Sequence, residues 1–79
     1  MRVIVLENIS VYVYREIGER HKMPHCHVRT SIGEETVVAL PTMEIIVGAD
    51  LSREAMDMLI GNLEQICDAW DHINPEVRT

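Results

Sequence analysis

The sequence predicts an α+β domain: a small antiparallel sheet of three to five short strands packed against one long C-terminal helix. Three observations carry that expectation. Residues 1–48 hold short β-branched runs separated by Gly, Pro and polar turn residues. Residues 51–73 place apolar side chains at spacings of three and four. A length of 79 residues leaves room for one thin core, so residues 1–79 are expected to form a single domain.

The elements follow in order. Met1 to Leu6 is β-branched and apolar, Glu7-Asn8 is turn-like, and Ile9 to Arg15 is again rich in Val and Tyr, which together predict a β-hairpin. Glu16 to Met23 reads as a charged loop around Gly18. Pro24 favours an extended residue before it and permits a strand from His25 to Thr30. Gly33 marks the next turn, Glu35 to Leu40 supplies another strand, Pro41 interrupts it, and Met43 to Val47 forms a short further one before Gly48.

The helix has clear ends. Ser52 caps its first turn, Glu54 suits the positive end of the dipole, and Pro75 stops it after Asn74. Leu51, Ala55, Met58, Leu59, Leu63, Ile66, Trp70 and Ile73 make one apolar stripe, and Arg53, Asp57, Glu64, Asp68 and Asp71 share the solvated face. The stripe reads as the core layer on the sheet. Met56, Ile60 and Cys67 widen it sideways and are candidate contacts with a protein partner or with a second copy of the chain in a homodimer.

Composition removes several classes. At 47% hydrophobic the chain is expected to fold, and no apolar run approaches the roughly 20 residues of a membrane span. Val3 to Leu6 is far shorter than a signal-peptide core. Cys26 and Cys67 lack CxxC spacing and read as reduced thiols, so a cytoplasmic location is expected. A formal net charge of −6 disfavours broad nucleic-acid binding. Yet Arg15, Arg20, His21, Lys22, His25, His27 and Arg29 crowd a short stretch, which leaves one edge locally basic and a nucleic-acid role open.

Chemistry centres on Met23 to Arg29. In a strand His25, His27 and Arg29 point to one face, and Cys26 and Val28 point to the other. Two such imidazoles can share a metal, divide acid and base roles, contact an anion, or simply be exposed sheet residues. No third metal ligand stands at a diagnostic spacing, although His21 or a carboxylate could approach in the fold, so a metal site stays open. Tyr12 and Tyr14 share one face of their strand, either as core aromatics or beside the histidines, where their hydroxyls would assist binding. Lys22 is a further candidate cation, and His72 suits the negative end of the helix. The sequence lacks a Gly-rich phosphate loop, a GxSxG elbow and an HExxH helix, and no cofactor is expected. Cys26 is expected on the buried side of its strand, which argues against a thiol nucleophile.

The order of these features is a hairpin with Val-Tyr-Val-Tyr, a charged loop, the Pro24-His25-x-His27-Val28 strand, a Gly turn into Glu-Glu-Thr-Val-Val-Ala-Leu, and a helix opening Leu51-Ser52-Arg53-Glu54 and closing with Ala69-Trp70. It resembles the family of small bacterial proteins known as domain of unknown function 4160. The resemblance covers nearly the whole chain. It implies a compact α+β fold and frequent encoding beside another small domain, in arrangements like toxin-antitoxin modules or mobile-element cargo, and it brings no established activity. The chain departs from the family pattern in its acidic helix and at Met23, where members often have another Pro.

Three functional expectations follow. The favoured one is a non-enzymatic protein-binding or regulatory module, an acidic partner of another small protein that uses the wide helix face or a sheet edge. A second is a toxin-like ribonuclease with His25 and His27 as acid and base and Arg29 or Lys22 stabilising phosphate charge. A third is an acidic phage-type inhibitor that imitates nucleic acid through its helix.

Overall fold

A computed structural model describes residues 2–6, 8–15 and 23–75. Five strands, β1 (Arg2–Val5), β2 (Ile9–Tyr12), β3 (His25–Thr30), β4 (Glu35–Ala39) and β5 (Ile45–Gly48), precede α1 (Arg53–Gly61) and α2 (Leu63–Ile73). The strands pair antiparallel in chain order, β1-β2-β3-β4-β5. Short turns join β1 to β2, β3 to β4 and β4 to β5, and residues 13–24 connect β2 to β3. Leu6 N–H donates to the Ile9 carbonyl (2.8 Å) to close the first hairpin, and Gly33, at φ 90°, lets β3 turn into β4. Most of the expected charged loop, including His21 and Lys22, lies outside the described residues. No helix among the described residues is long and apolar enough to cross a membrane.

Register decides which side chains face the core. Val11 pairs with Val28, Val28 with Thr36, and Cys26 with Val38, so these residues share one face of the sheet. Ile9, Val11, Val13, Cys26, Val28, Val38 and Leu40 are all buried there, covered by Ala55, Leu59, Ile66 and Trp70 from the helices. Buried Thr36 is accommodated because its Oγ1 donates to the Ala49 carbonyl at 2.6 Å.

The expected single long helix is two. Ser52 caps α1 as anticipated, its Oγ accepting from Ala55 N–H at 3.1 Å. The ladder then breaks at Gly61-Asn62, two weak helix formers. Asn62 N–H turns to the Leu59 carbonyl (3.1 Å) instead of that of Met58, and Asn62 Nδ2 donates to the Met58 carbonyl in its place (2.8 Å). The Asn62 carbonyl accepts from Ile66 N–H and starts α2. Ala55 and Ile66, like Leu59 and Trp70, are eleven residues apart, close to three full turns, so the buried stripe keeps its phase across the break. This explains how one uninterrupted periodicity contains two helices.

The end of α2 is fastened to the end of β2. Arg15 Nη1 donates to the Ile73 carbonyl (2.7 Å), and buried Asn74 donates through Nδ2 to the Tyr14 carbonyl (3.1 Å). Asn74 N–H also closes the last turn onto the Trp70 carbonyl (2.8 Å).

Trp70→Ala should destabilise the domain by about 3–5 kcal/mol. That is a large part of the roughly 4–12 kcal/mol available to a chain of this size; urea unfolding monitored by circular dichroism would show a largely unfolded variant. Gly48 is a second sensitive point. At φ 106° its added Cβ would press on the Glu35 carbonyl oxygen and stand 2.8 Å from Thr36 Cα. Gly48→Ala should therefore cost more than about 1 kcal/mol, read as a lower urea midpoint at unchanged slope.

Candidate functional site

On the face turned away from the helices, alternate residues of β2, β3 and β4 line up in rows. Tyr12 pairs with His27 and His27 with Val37; Ser10 pairs with Arg29 and Arg29 with Glu35. Strand alternation thus brings Tyr12, Tyr14, His25, His27 and Arg29 together, the alternative in which the tyrosines stand beside the histidines. Tyr12 and Tyr14 stack with centroids 6.1 Å apart, and Tyr14 meets His27 edge-on at 4.9 Å. His25 and His27 lie 5.3 Å apart, and the Arg29 guanidinium carbon sits 5.5 Å from the Tyr12 centroid.

Each imidazole has a neighbour that orients it. His25 Nδ1 lies 2.8 Å from the Met23 carbonyl, which only accepts, so this nitrogen carries a proton. The same ring packs 5.0 Å from Trp70, linking the open face to the core at the sheet's end. His27 Nδ1 is buried without a hydrogen-bond partner, and the Glu35 carboxylate stands just beyond bonding range at 3.6 Å. The other oxygen of Glu35 accepts from Arg29 Nη2 at 3.4 Å. Glu35 therefore binds Arg29 and stands next to His27. With Arg29 53% and Glu35 41% exposed, that ion pair is solvent-screened and contributes little to stability.

The other candidates fall elsewhere. Lys22 lies outside the described residues. Met56 and Cys67 are half-buried and pack against the core, whereas Ile60 stands 54% exposed. His72 occupies the last turn of α2. Among the described residues no group of three His, Cys, Asp or Glu side chains is arranged to hold a metal ion. The sequence reading missed Glu35, whose signal was its place across the Gly33 hairpin from Arg29, and Trp70 as a neighbour of His25, for which there was no local signal.

Cys26 is fully buried on the core face, and burial, reinforced by nearby Cys67, pushes its thiol up to about 12. A thiolate is thus scarce near neutral pH. Burial, and then Asp71 and Asp68, also raise the Cys67 thiol. What the open face offers instead is a pair of oriented imidazoles, a carboxylate, a guanidinium and two phenols, a set suited to proton transfer and to contact with an anion.

An α+β domain with a five-stranded meander, helices on one face and an imidazole-tyrosine cluster on the other is the class that fold and site define. The family model described as Domain of unknown function (DUF4160) matches residues 8–71, and the chain belongs to that family. Comparisons with curated proteins and with solved structures return no match.

The thiol predicts a pH dependence. Unfolded, Cys26 ionises near 9.0; folded, it holds its proton to about 12. The stability this contributes is fully present below pH 9 and is lost as pH rises toward 12, by up to the order of 4 kcal/mol. Urea midpoints of the native chain should fall steeply across that window, and Cys26→Ala should show a shallower slope, retaining the contribution of Cys67.

Proposed function

We propose that this chain is a protein-binding or regulatory module acting in the cytoplasm, with the open face of the sheet as its contact surface. The partner is another small protein, encoded beside it in a toxin-antitoxin-like or mobile-element arrangement of the kind the family resemblance implies. One observation supports this most: Val5 (59% exposed), Tyr14 (39%) and Val47 (61%) lie on a single sheet face that no described element covers. Scattered exposed apolar residues mean little, but Val5 and Val47 share this surface with the Tyr12-Tyr14 stack. Tyrosines are enriched at contact surfaces because they bury much area at small entropic cost. The helices present Asp57, Glu64, Asp68 and Asp71 outward on the other side, a solvated back for such a module.

The test is reconstitution with the product of the adjacent gene, both chains purified. The expected result is a stoichiometric complex whose Kd weakens by roughly tenfold or more in Val47→Glu, because a buried unpaired charge opposes contact, and is unchanged in Ile60→Glu. The reverse pattern would move the contact to the helix flank. Sedimentation of the chain alone separates a homodimer from both outcomes, since its mass would then double with concentration.

A further inference from the structure

We propose that a cleft at the end of the sheet, between α2 and the segments that open β3 and close β4, receives an arginine side chain of a partner protein, with Asp71 accepting from its guanidinium. This contact lies beside the open face, and it rests on the protein-binding reading for the source of the arginine. Pro24, Leu40, Pro41, Cys67, Trp70 and Asp71 line the cleft, which holds about 210 Å³. Pockets for cofactors and drug-sized molecules begin at roughly 300 Å³. The space suits one long side chain. Apart from Cys67 and Asp71 the lining is apolar, and two prolines and a buried indole leave it little rotamer freedom to lose when something enters. An occupant therefore needs an apolar stem, and the lip sets the chemistry of its head.

That lip is negative. Asp71 is exposed, and among the described residues no cation pairs with it. After burial, Asp71 and Asp68 are what raise the Cys67 thiol, so the field of both carboxylates reaches into the cleft. Asp71 also stands in the last turns of α2, where the helix dipole favours a cation and opposes a carboxylate. Helix stability thus gives no reason for an acid at this position, whereas a cationic ligand does. Arginine meets each demand. Its methylenes lie along Pro24, Pro41 and Trp70, its planar fork offers two N–H donors to one carboxylate, and it gives up water more readily than an ammonium. The cleft also adjoins the open face. Met23, 56% exposed, precedes Pro24, and Trp70 lies 5.0 Å from His25, so a partner seated on the open face reaches the cleft across this end of the sheet.

The test uses the full chain without a partner. Trp70 is the one tryptophan of the sequence and Cys26 is fully buried, so indole emission and alkylation of Cys67 by iodoacetamide both report on the cleft. The probes are acetyl-Gly-Arg-Gly-amide and its citrulline and lysine counterparts. The arginine peptide should shift the emission and slow alkylation with one shared Kd, on the order of millimolar for a single side chain. Citrulline, which keeps the shape and lacks the charge, should bind about tenfold more weakly or worse, and lysine should fall between the two. Asp71→Asn should abolish both responses at an unfolding midpoint equal to or above that of the native chain, since a carboxylate leaves the negative end of a helix. Each alkylation rate is compared with and without peptide, because Asp71 itself acts on the thiol. Absence of any response, equal responses to arginine and citrulline, tighter binding of lysine, or full responses in Asp71→Asn would overturn the assignment. Such a result would leave the Val47→Glu experiment on the open face untouched, and a failed reconstitution would leave the peptide titration untouched.

Discussion

Burial of Val11, Val28 and Val38 beneath Leu59, Ile66 and Trp70 is the contact on which the rest of this structure depends. A chain of this length has one core, and an isolated meander of four- to six-residue strands is marginal in water without a layer packed on it. The helices supply that layer for one face only. Because strand side chains alternate, every residue that anchors the core has neighbours that must point the other way. The open face is thus a by-product of the core, and its chemistry is whatever the intervening positions carry.

Trp70 shows how closely the two are coupled. Its indole closes the core from α2 and also lies against His25, while Asn74 and Arg15 tie the same helix end to the end of β2. The imidazole pair therefore sits where the sheet is braced, not on a free loop. Rigid support of this kind is what positioned acid and base groups require, and it also gives a partner a surface that needs little ordering on contact.

Much of the fold was legible because the signals were local. β-Branched runs bounded by Asn8, Gly33 and Pro41 announced the strands, and the 3.6-residue stripe announced the helical layer. The break at Asn62 was not legible: apolar periodicity reports which face is buried, and that phase survives an interruption which preserves it. Gly61-Asn62 was the available warning, through propensity instead of pattern. In the site, alternation alone separated His25, His27 and Arg29 from Cys26 and Val28, and the burial of Cys26 follows from it. Glu35, Asn74 and the meeting of Trp70 with His25 depended on hairpin register and on where a helix ends against a strand, neither of which any short segment encodes.

The two-sided use of β3 bears on how such a chain can change over time. Substitutions at His27 or Arg29 alter the outer surface without removing a core contact, whereas His25 also packs on Trp70, so the chemistry of this face is freer to drift away from that end of the sheet. Adding or removing a single residue within His25–Thr30 is a different event. It would reverse the alternation on one side of the change, setting core and surface positions of the strand out of phase with their partners on β2 and β4. Length variation should accordingly accumulate in the connecting segments and be purged from β3, whichever residues that strand comes to carry.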